Sequence, residues 1–169
     1  VLYSTLDALE ARSQRFDYGR SGNPTTRGVE EVVTGLEGAA GTVLAPSGLA
    51  AISTALMAAV GAGDDVLLSD SVYEPNRLFA TEGLTRFGVS VRFYDPRIGG
   101  DISNVLLPNT KAIFVESPGS HTFEIQDLPA IAAVAGRREI TIIADNSWAT
   151  PLFHRPLALG ADIVVHAGT

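Results

Sequence analysis

Short apolar runs alternate with longer mixed stretches along most of the chain. Runs rich in β-branched residues predict strands at residues 66–69, 89–94, 111–115, 140–144 and 163–166, with a further short strand just before Ser47. Between the runs, the pattern predicts helices over 25–37, 48–60, 74–86 and 128–138, the last with apolar residues at 128, 131, 132 and 135. Shorter helical turns are expected around 5–13, 102–107 and 157–160.

This alternation of strands and helices predicts the fold class. Repeated βαβ units form a mostly parallel sheet, and continuously apolar strands are typical of a sheet with helices on both faces. We therefore expect an α/β fold, with residues 1–24 as an N-terminal arm and loop and residues 25–169 as the α/β domain. The sequence stops directly after an apolar run, so we expect this domain to be a piece of a longer protein.

Candidate chemistry collects where the predicted strands end. The segments that follow strands are Ser47-Gly48, residues 70–73, Glu116-Ser117 and Asp145. In an open parallel sheet the carboxyl ends of the strands face the ligand crevice, so these segments are expected at one site. Asp145 comes directly after the run ITIIA and is expected at the floor of that site. The alternative for Asp145 is a residue that only caps the next turn.

Ser47-Gly48 stands at the start of an Ala-rich helix. Unpaired N–H groups and the helix dipole at such a position favour an anion, and phosphate in particular. The alternative is a plain N-cap serine with no ligand.

Composition excludes several classes of protein. The sequence is 46% hydrophobic and 18% charged, which is typical of a folded globular chain. Its formal net charge is −7 and no basic cluster is present, so nucleic acid is not an expected partner. With no cysteine there is no disulfide framework or thiolate metal site. No signal peptide or membrane span is evident in these residues, so a cytoplasmic protein is expected.

Six motifs, taken in order, resemble one known family. They are YGRSGNPT, SGLAAI, the tyrosine of DSVYEP, ESPGS, DNSWATP and DIVVHAGT. This set is similar to the pyridoxal-phosphate enzymes of cysteine and methionine metabolism, which have the fold type I architecture. The resemblance runs from about Tyr18 to Thr169 and implies pyridoxal 5′-phosphate as the cofactor.

The resemblance implies roles for individual residues around the cofactor. Asp145 matches the aspartate that pairs with the pyridine nitrogen and keeps it protonated. Gly48 and Leu49 match the turn whose N–H groups hold the phosphate. Tyr73 matches a tyrosine that stacks on the pyridine ring and handles a proton, so it is the candidate catalytic residue. The alternative for Tyr73 is a packing tyrosine.

The resemblance also implies an oligomer. Tyr18 and Arg20 match a pair that binds the phosphate in the neighbouring subunit's site, for which the planar fork of arginine is suited. This requires a dimer at least, and the family's pattern is a homotetramer. The alternative for Arg20 is a solvated loop arginine.

The last residues match the approach to the Schiff-base lysine. Ala167 and Thr169 match phosphate-binding positions, although many family members have Ser where Ala167 stands, and the lysine would follow Thr169. Lys111 is the only lysine in the sequence and is expected at the wrong end of its strand. Ser120 stands where many relatives have an Asn that bonds the cofactor's phenolic oxygen, and is expected to do so more weakly.

Other residues carry structural expectations. Trp148 is expected to pack in the core behind the cofactor floor. His121, His154 and His166 share no metal-ligand spacing, so no metal site is expected.

The resemblance implies a carbon–sulfur lyase that acts on a small amino-acid substrate. The wording SPGS is most similar to bacterial cystathionine β-lyases, which implies cleavage of cystathionine to homocysteine, pyruvate and ammonia. The alternatives within the family are cystathionine γ-synthase or methionine γ-lyase chemistry. The alternatives of another class are a non-catalytic cofactor-binding protein and an inert fragment.

Overall fold

The computed structural model describes residues 5–10 and 18–168 of the 169-residue chain. Its α-helices are α1 (Leu6–Glu10), α2 (Pro24–Glu37), α3 (Gly48–Ala59), α4 (Glu74–Leu78), α5 (Leu128–Ala135) and α6 (Thr150–Phe153). Its strands are β1 (Asp65–Ser69), β2 (Ser90–Tyr94), β3 (Thr110–Glu116), β4 (Thr141–Asp145) and β5 (Ile163–Val165). Short 3-10 turns lie at Gly19–Ser21, Leu84–Phe87, Gly99–Asn104, Gly136–Arg138 and Pro156–Leu159. The chain divides into two compact units, residues 1–44 and residues 45–169.

The second unit contains a parallel sheet. The strand order is β2-β1-β3-β4-β5, and each neighbouring pair is parallel. The five strands predicted between residues 66 and 166 are all present, with ends displaced by at most one residue. Each strand is joined to the next by a segment that contains helix, as a parallel connection requires.

Apolar cores cover both faces of this sheet. Along β1, Val66 and Leu68 lie in one core with Ile52 and Leu56 of α3. The side chain between them, Leu67, lies in a second core with residues of α5. Successive side chains of a strand point to opposite faces, so the two cores lie on opposite sides of the sheet. The predicted α/β class with helices on both faces is confirmed.

The prediction of a strand just before Ser47 is wrong. Residues 41–45 form neither helix nor strand, and the side chain of Val43 is 89% exposed. Polar groups in this segment bond to α2 instead: the Thr42 and Thr34 hydroxyls are 2.8 Å apart, and the Leu44 N–H donates to Glu30 at 3.3 Å. An apolar run of this length becomes a strand only where a neighbouring strand pairs with it.

Helix α2 belongs to the first unit, and a specific residue defines each of its ends. Asn23 caps its start: the Asn23 carboxamide oxygen accepts from the N–H groups of Thr25 at 3.0 Å and Thr26 at 3.1 Å. The Thr26 hydroxyl accepts in return from the Asn23 N–H at 3.2 Å, which completes a capping box. Gly38 ends the helix with φ 67°, as predicted.

The helix predicted over 74–86 is divided into three segments. Helix α4 is followed by a π-helical segment, Phe79–Gly83, and then by the 3-10 turn Leu84–Phe87. A side chain at Gly83 would place its Cβ 3.0 Å from the ring of Phe79, so the aromatic ring occupies that space. Among the described residues, no helix is long and apolar enough to cross a membrane.

A partly buried ion pair, Asp65–Arg92, joins β1 and β2, and Thr110 of β3 bonds to its carboxylate. Asp65 is completely buried and accepts from Arg92 Nε at 2.8 Å, Arg92 Nη2 at 2.7 Å and the Thr110 hydroxyl at 2.6 Å. Burial acts to raise the pKa of Asp65, but the hydrogen bonds and the charge of Arg92 outweigh it and hold the pKa below its usual range. This pair stabilises the fold at the edge opposite the strands' carboxyl ends.

We expect Arg92→Met in the full-length protein to lower the free energy of unfolding at pH 7 by about 3 kcal/mol, because the buried Asp65 carboxylate loses its cation. The low pKa of Asp65 stabilises the folded wild type above pH ~4, and this stabilisation is lost as the pH falls through the folded-state pKa. The deficit of the variant should therefore shrink as the pH falls below ~4. Urea denaturation at several pH values measures it.

The control for this experiment is Arg97→Met. Arg97 pairs with Asp95 at 3.2 Å, but its side chain is 75% exposed, so its loss should change stability little. Equal effects of the two substitutions would contradict the assignment of Asp65–Arg92 as a stabilising pair.

Candidate active site

Polar side chains lie at the carboxyl ends of the three central strands. β1, β3 and β4 end in Ser69, Glu116 and Asp145, and these strands are neighbours in the sheet. The carboxyl ends of parallel strands share one edge, so the loops that follow them also meet there. The prediction that residues 70–73, Glu116-Ser117 and Asp145 follow strands is confirmed. Ser47-Gly48 differs because no strand precedes it.

Glu116 and Asp145 are direct neighbours across β3 and β4. Glu116 is only 4% exposed, and burial raises the pKa of its carboxyl. Hydrogen bonds from Ser120 and Tyr73 act against this shift, and the negative charge of Asp145 adds to it. Two carboxylates therefore share this edge in different environments, one enclosed and one partly exposed.

Asp145 holds the loop that follows β4. Its Oδ1 accepts a hydrogen bond from the Ser147 N–H at 2.9 Å. This oxygen therefore caps the turn that follows β4. The Ser147 hydroxyl in turn accepts from the Ala167 N–H at 2.8 Å. A continuous chain of contacts thus connects the Asp145 carboxylate to the segment after β5.

That segment contacts the start of α3 very closely. A Cβ built on Gly48 would lie 2.9 Å from Ala167 Cβ, which is closer than two side chains can approach. Ser47 caps the helix through its hydroxyl, which accepts from the Ala50 N–H at 3.1 Å. Among the described residues, the N–H groups of Gly48 and Leu49 have no hydrogen-bond partner. These free donors lie beside Ala167, while Thr169 is outside the described residues.

Tyr73 lies at the start of α4 and is held by its backbone. Its N–H donates to Glu116 Oε2 at 2.8 Å, and its side chain is 45% exposed. The ring is therefore not buried among the described residues, and its role stays a prediction. A fixed backbone with an exposed ring allows the ring to contact a ligand at this edge.

Tyr18 and Arg20 lie in the first unit. The Arg20 guanidinium carbon is 4.9 Å from the centroid of the Tyr18 ring, within the range of a cation–π contact. Both residues are exposed. Their role in a neighbouring subunit's site stays a prediction.

The expectation that Trp148 packs in the core is wrong. Trp148 is 60% exposed, and its ring meets Phe123 edge to face with centroids 5.3 Å apart. Trp148 lies in the loop after β4 rather than in a strand, so it is outside the two cores that cover the faces of the sheet. In the described part of the chain, no three His, Cys, Asp or Glu residues are grouped so as to hold a metal ion.

The sequence placed Glu116 at the site without an individual task and did not indicate Ser147. Glu116 carries the same signal as Asp145, an acid directly after a buried apolar run, and the neighbouring strand order makes the two adjacent. Ser147 has no signal in the sequence, because its contact with Ala167 depends on the return of the chain through β5.

One protein-family model matches almost the whole chain. The model described as "Cys/Met metabolism PLP-dependent enzyme" matches residues 2–169. The chain belongs to this family. Dependence on pyridoxal 5′-phosphate is thus a property of the family, and the resemblance seen in the motifs is confirmed.

Individual relatives carry more specific names. A Rhizobium johnstonii protein, provisionally named cystathionine beta-lyase, is 48% identical over 169 residues, which are 100% of this chain and 43% of that protein. The cystathionine beta-lyase of Salmonella typhimurium is 40% identical over 154 residues, 90% of this chain and 39% of its own. The crystal structure of cystathionine gamma-lyase from Lactobacillus plantarum, complexed with L-serine, matches with a TM-score of 0.88 at 31% identity, covering 98% of this chain and 42% of that chain. The chain therefore spans less than half the length of these relatives.

We expect Gly48→Ala in the full-length protein to lower the free energy of unfolding by about 1–3 kcal/mol, because the new methyl group displaces Ala167. The same displacement should weaken binding of pyridoxal 5′-phosphate, which an absorbance titration measures. Gly136→Ala is the control, since a Cβ there meets nothing within 4 Å. If Gly48→Ala bound the cofactor as the control does, the close contact would have no bearing on the site.

Proposed function

We propose that the protein is a pyridoxal-phosphate-dependent carbon–sulfur lyase that cleaves cystathionine by β-elimination. The single observation that carries this is the contact chain that joins the Asp145 carboxylate, through Ser147 and Ala167, to the free N–H groups at the start of α3. A carboxylate and a set of N–H donors are the two groups needed for a ring nitrogen and a phosphate.

The residues present fit this cofactor. Gly48 has no side chain, which lets Ala167 approach the start of α3, and a larger residue would displace it. The N–H groups of Gly48 and Leu49 are free to donate to that phosphate, with the dipole of the 12-residue helix α3 adding positive potential. Asp145 is partly exposed at the same edge and can face the pyridine nitrogen.

Each residue then has a defined task. When bound, the cofactor withdraws electrons from the substrate α-carbon. Asp145 would hold a proton at the pyridine nitrogen, and the exposed ring of Tyr73 would be available to contact the pyridine and to handle a proton near the leaving group. Lys111, the only lysine in the sequence, is the second residue of β3 and lies near the opposite end of the strand from this site.

The oligomer is part of the same proposal. Tyr18 and Arg20 are exposed in the first unit and already packed on each other, which suits a pair that reaches a phosphate in another subunit. We propose a homodimer at least, assembled as a homotetramer.

The choice of β- over γ-chemistry is supported by relatives named cystathionine beta-lyase at 48% and 40% identity. The match to a cystathionine gamma-lyase structure at 31% identity makes γ-elimination the second candidate. The two reactions break different carbon–sulfur bonds of one substrate, so their products distinguish them.

The deciding experiment is an assay of the full-length protein with pyridoxal 5′-phosphate and cystathionine. We expect one water to be consumed, with homocysteine, pyruvate and ammonia formed in equal amounts. Cysteine and 2-oxobutyrate would support γ-elimination instead. A protein that binds the cofactor, as seen by visible absorbance, but forms neither set of products would overturn the lyase proposal.

Asp145→Asn should lower kcat/KM for cystathionine at least about 100-fold, because the uncharged amide no longer holds the proton at the ring nitrogen. The Gly48 and Leu49 donors are unchanged, so the cofactor should remain bound. Asp101→Asn, at an exposed aspartate in the Gly99–Asn104 turn, should leave both activity and cofactor binding unchanged. Full activity in the Asp145 variant would exclude this residue from the reaction.

A further inference from the structure

Two loops at the carboxyl edge are held directly against each other. The first, residues 70–73, follows β1, and the second, residues 117–124, follows β3. The Ser120 N–H donates to the Ser71 carbonyl at 2.7 Å. A Cβ on Gly119 would overlap the Ser71 side chain, so only glycine permits this approach. The position of one loop therefore fixes the position of the other.

Glu116 links the same two loops through its carboxylate. Oε2 accepts from the Tyr73 N–H of the first loop at 2.8 Å, and Oε1 accepts from the Ser120 hydroxyl of the second at 2.6 Å. Each carboxylate oxygen thus accepts a hydrogen bond from one of the two loops. The side chain is 4% exposed, so water does not replace either bond readily.

The backbone of Glu116 is fixed from the other side. Its carbonyl accepts from Gln126 Nε2 at 2.8 Å, and Gln126 Oε1 accepts from the Tyr94 hydroxyl at 2.7 Å. Burial raises the pKa of Tyr94, so this hydroxyl remains a donor. Gln126 and Tyr94 are both buried, which leaves the Glu116 carboxylate little freedom to move.

The direction of the Ser120 bond depends on the charge of Glu116. An ionised carboxylate only accepts, so Ser120 must give it its single hydroxyl hydrogen and can only accept from any other group. A protonated carboxyl can donate to the Ser120 oxygen instead, and the hydroxyl hydrogen is then free for a ligand oxygen. We propose that Glu116 is a positioning residue whose protonation decides whether Ser120 offers a donor or an acceptor to the cofactor bound at this edge. This inference rests on the proposed pyridoxal-phosphate site.

Few groups act on Glu116. From β4, the neighbouring charge is Asp145; from the two loops, the contacts are the Tyr73 N–H and the uncharged Ser120. Burial and the negative charge of Asp145 both act to raise the pKa of Glu116. The two arrangements of the Glu116–Ser120 hydrogen bond, with Ser120 as donor or as acceptor, are therefore closer in energy than they would be beside an exposed glutamate.

Glu116→Gln is the informative variant. Its amide oxygen can keep the bond from the Tyr73 N–H, which leaves the amide NH₂ to donate to Ser120. The variant thus reproduces protonated Glu116 at every pH. Ser120→Ala removes the hydroxyl but keeps the Glu116–Tyr73 bond. Glu82→Gln, at an exposed glutamate without a described contact to either loop, is the matched control.

The first readout is the visible absorbance of pyridoxal 5′-phosphate bound to the full-length protein, measured against pH. Wild type and Glu82→Gln should share a pH-dependent component of the spectrum that Glu116→Gln lacks. Ser120→Ala should also lose the pH dependence, but with a spectrum unlike that of Glu116→Gln. A Glu116→Gln protein that keeps the wild-type pH dependence would overturn the proposal, because the titrating group would lie elsewhere.

The second readout needs no cofactor. Amide hydrogen exchange of Tyr73 in the cofactor-free full-length protein should be nearly unchanged in Glu116→Gln and faster by about tenfold or more in Glu116→Ala, which removes the acceptor. Unchanged exchange in Glu116→Ala would exclude the positioning role. A protein that fails to bind pyridoxal 5′-phosphate at all, with exchange as expected, would instead count against the proposed function alone.

Discussion

The parallel register of β3 and β4 places two carboxylates side by side, and the candidate site is built around that constraint. Like charges at neighbouring strand ends repel, so each needs its own stabilising environment. Glu116 is enclosed and accepts hydrogen bonds from two loops, while Asp145 is partly exposed and accepts one from Ser147. The enclosed carboxylate organises the surrounding chain, and the exposed one is available to a ligand. Their different tasks follow from burial rather than from residue type.

The loops depend on this arrangement in turn. Tyr73 is held through its backbone, so its ring is exposed without being loose. Ala167 is held by Ser147 and contacts Gly48, which brings the start of α3 to the same edge as Asp145. Helix-covered cores on both faces keep the strand ends in place. A rigid sheet with functional loops at one edge is the arrangement that a family of cofactor-dependent enzymes can use for different reactions.

Much of the fold could be predicted because its strands are continuously apolar and its helices begin and end at clear signals, as α2 does at Gly38. The errors have physical causes. Residues 41–45 are apolar enough for a strand but have no strand beside them, and Trp148 is apolar but lies beyond the end of β4. In the site, Asp145 was identifiable from its position after an apolar run. Glu116 was placed at the same edge, but its task could not be predicted because it depends on which residues donate to it.

The sequence by itself determined the α/β class, the order of the strands along the chain, the residues that follow their carboxyl ends and the family. These are properties of local pattern and motif, which neighbouring residues carry. Only the tertiary structure decided that β3 lies between β1 and β4, that Glu116 adjoins Asp145, and that Tyr73 and Ser120 share one carboxylate. Those contacts join residues far apart in the chain, and the packing of helices on both faces of the sheet brings them together.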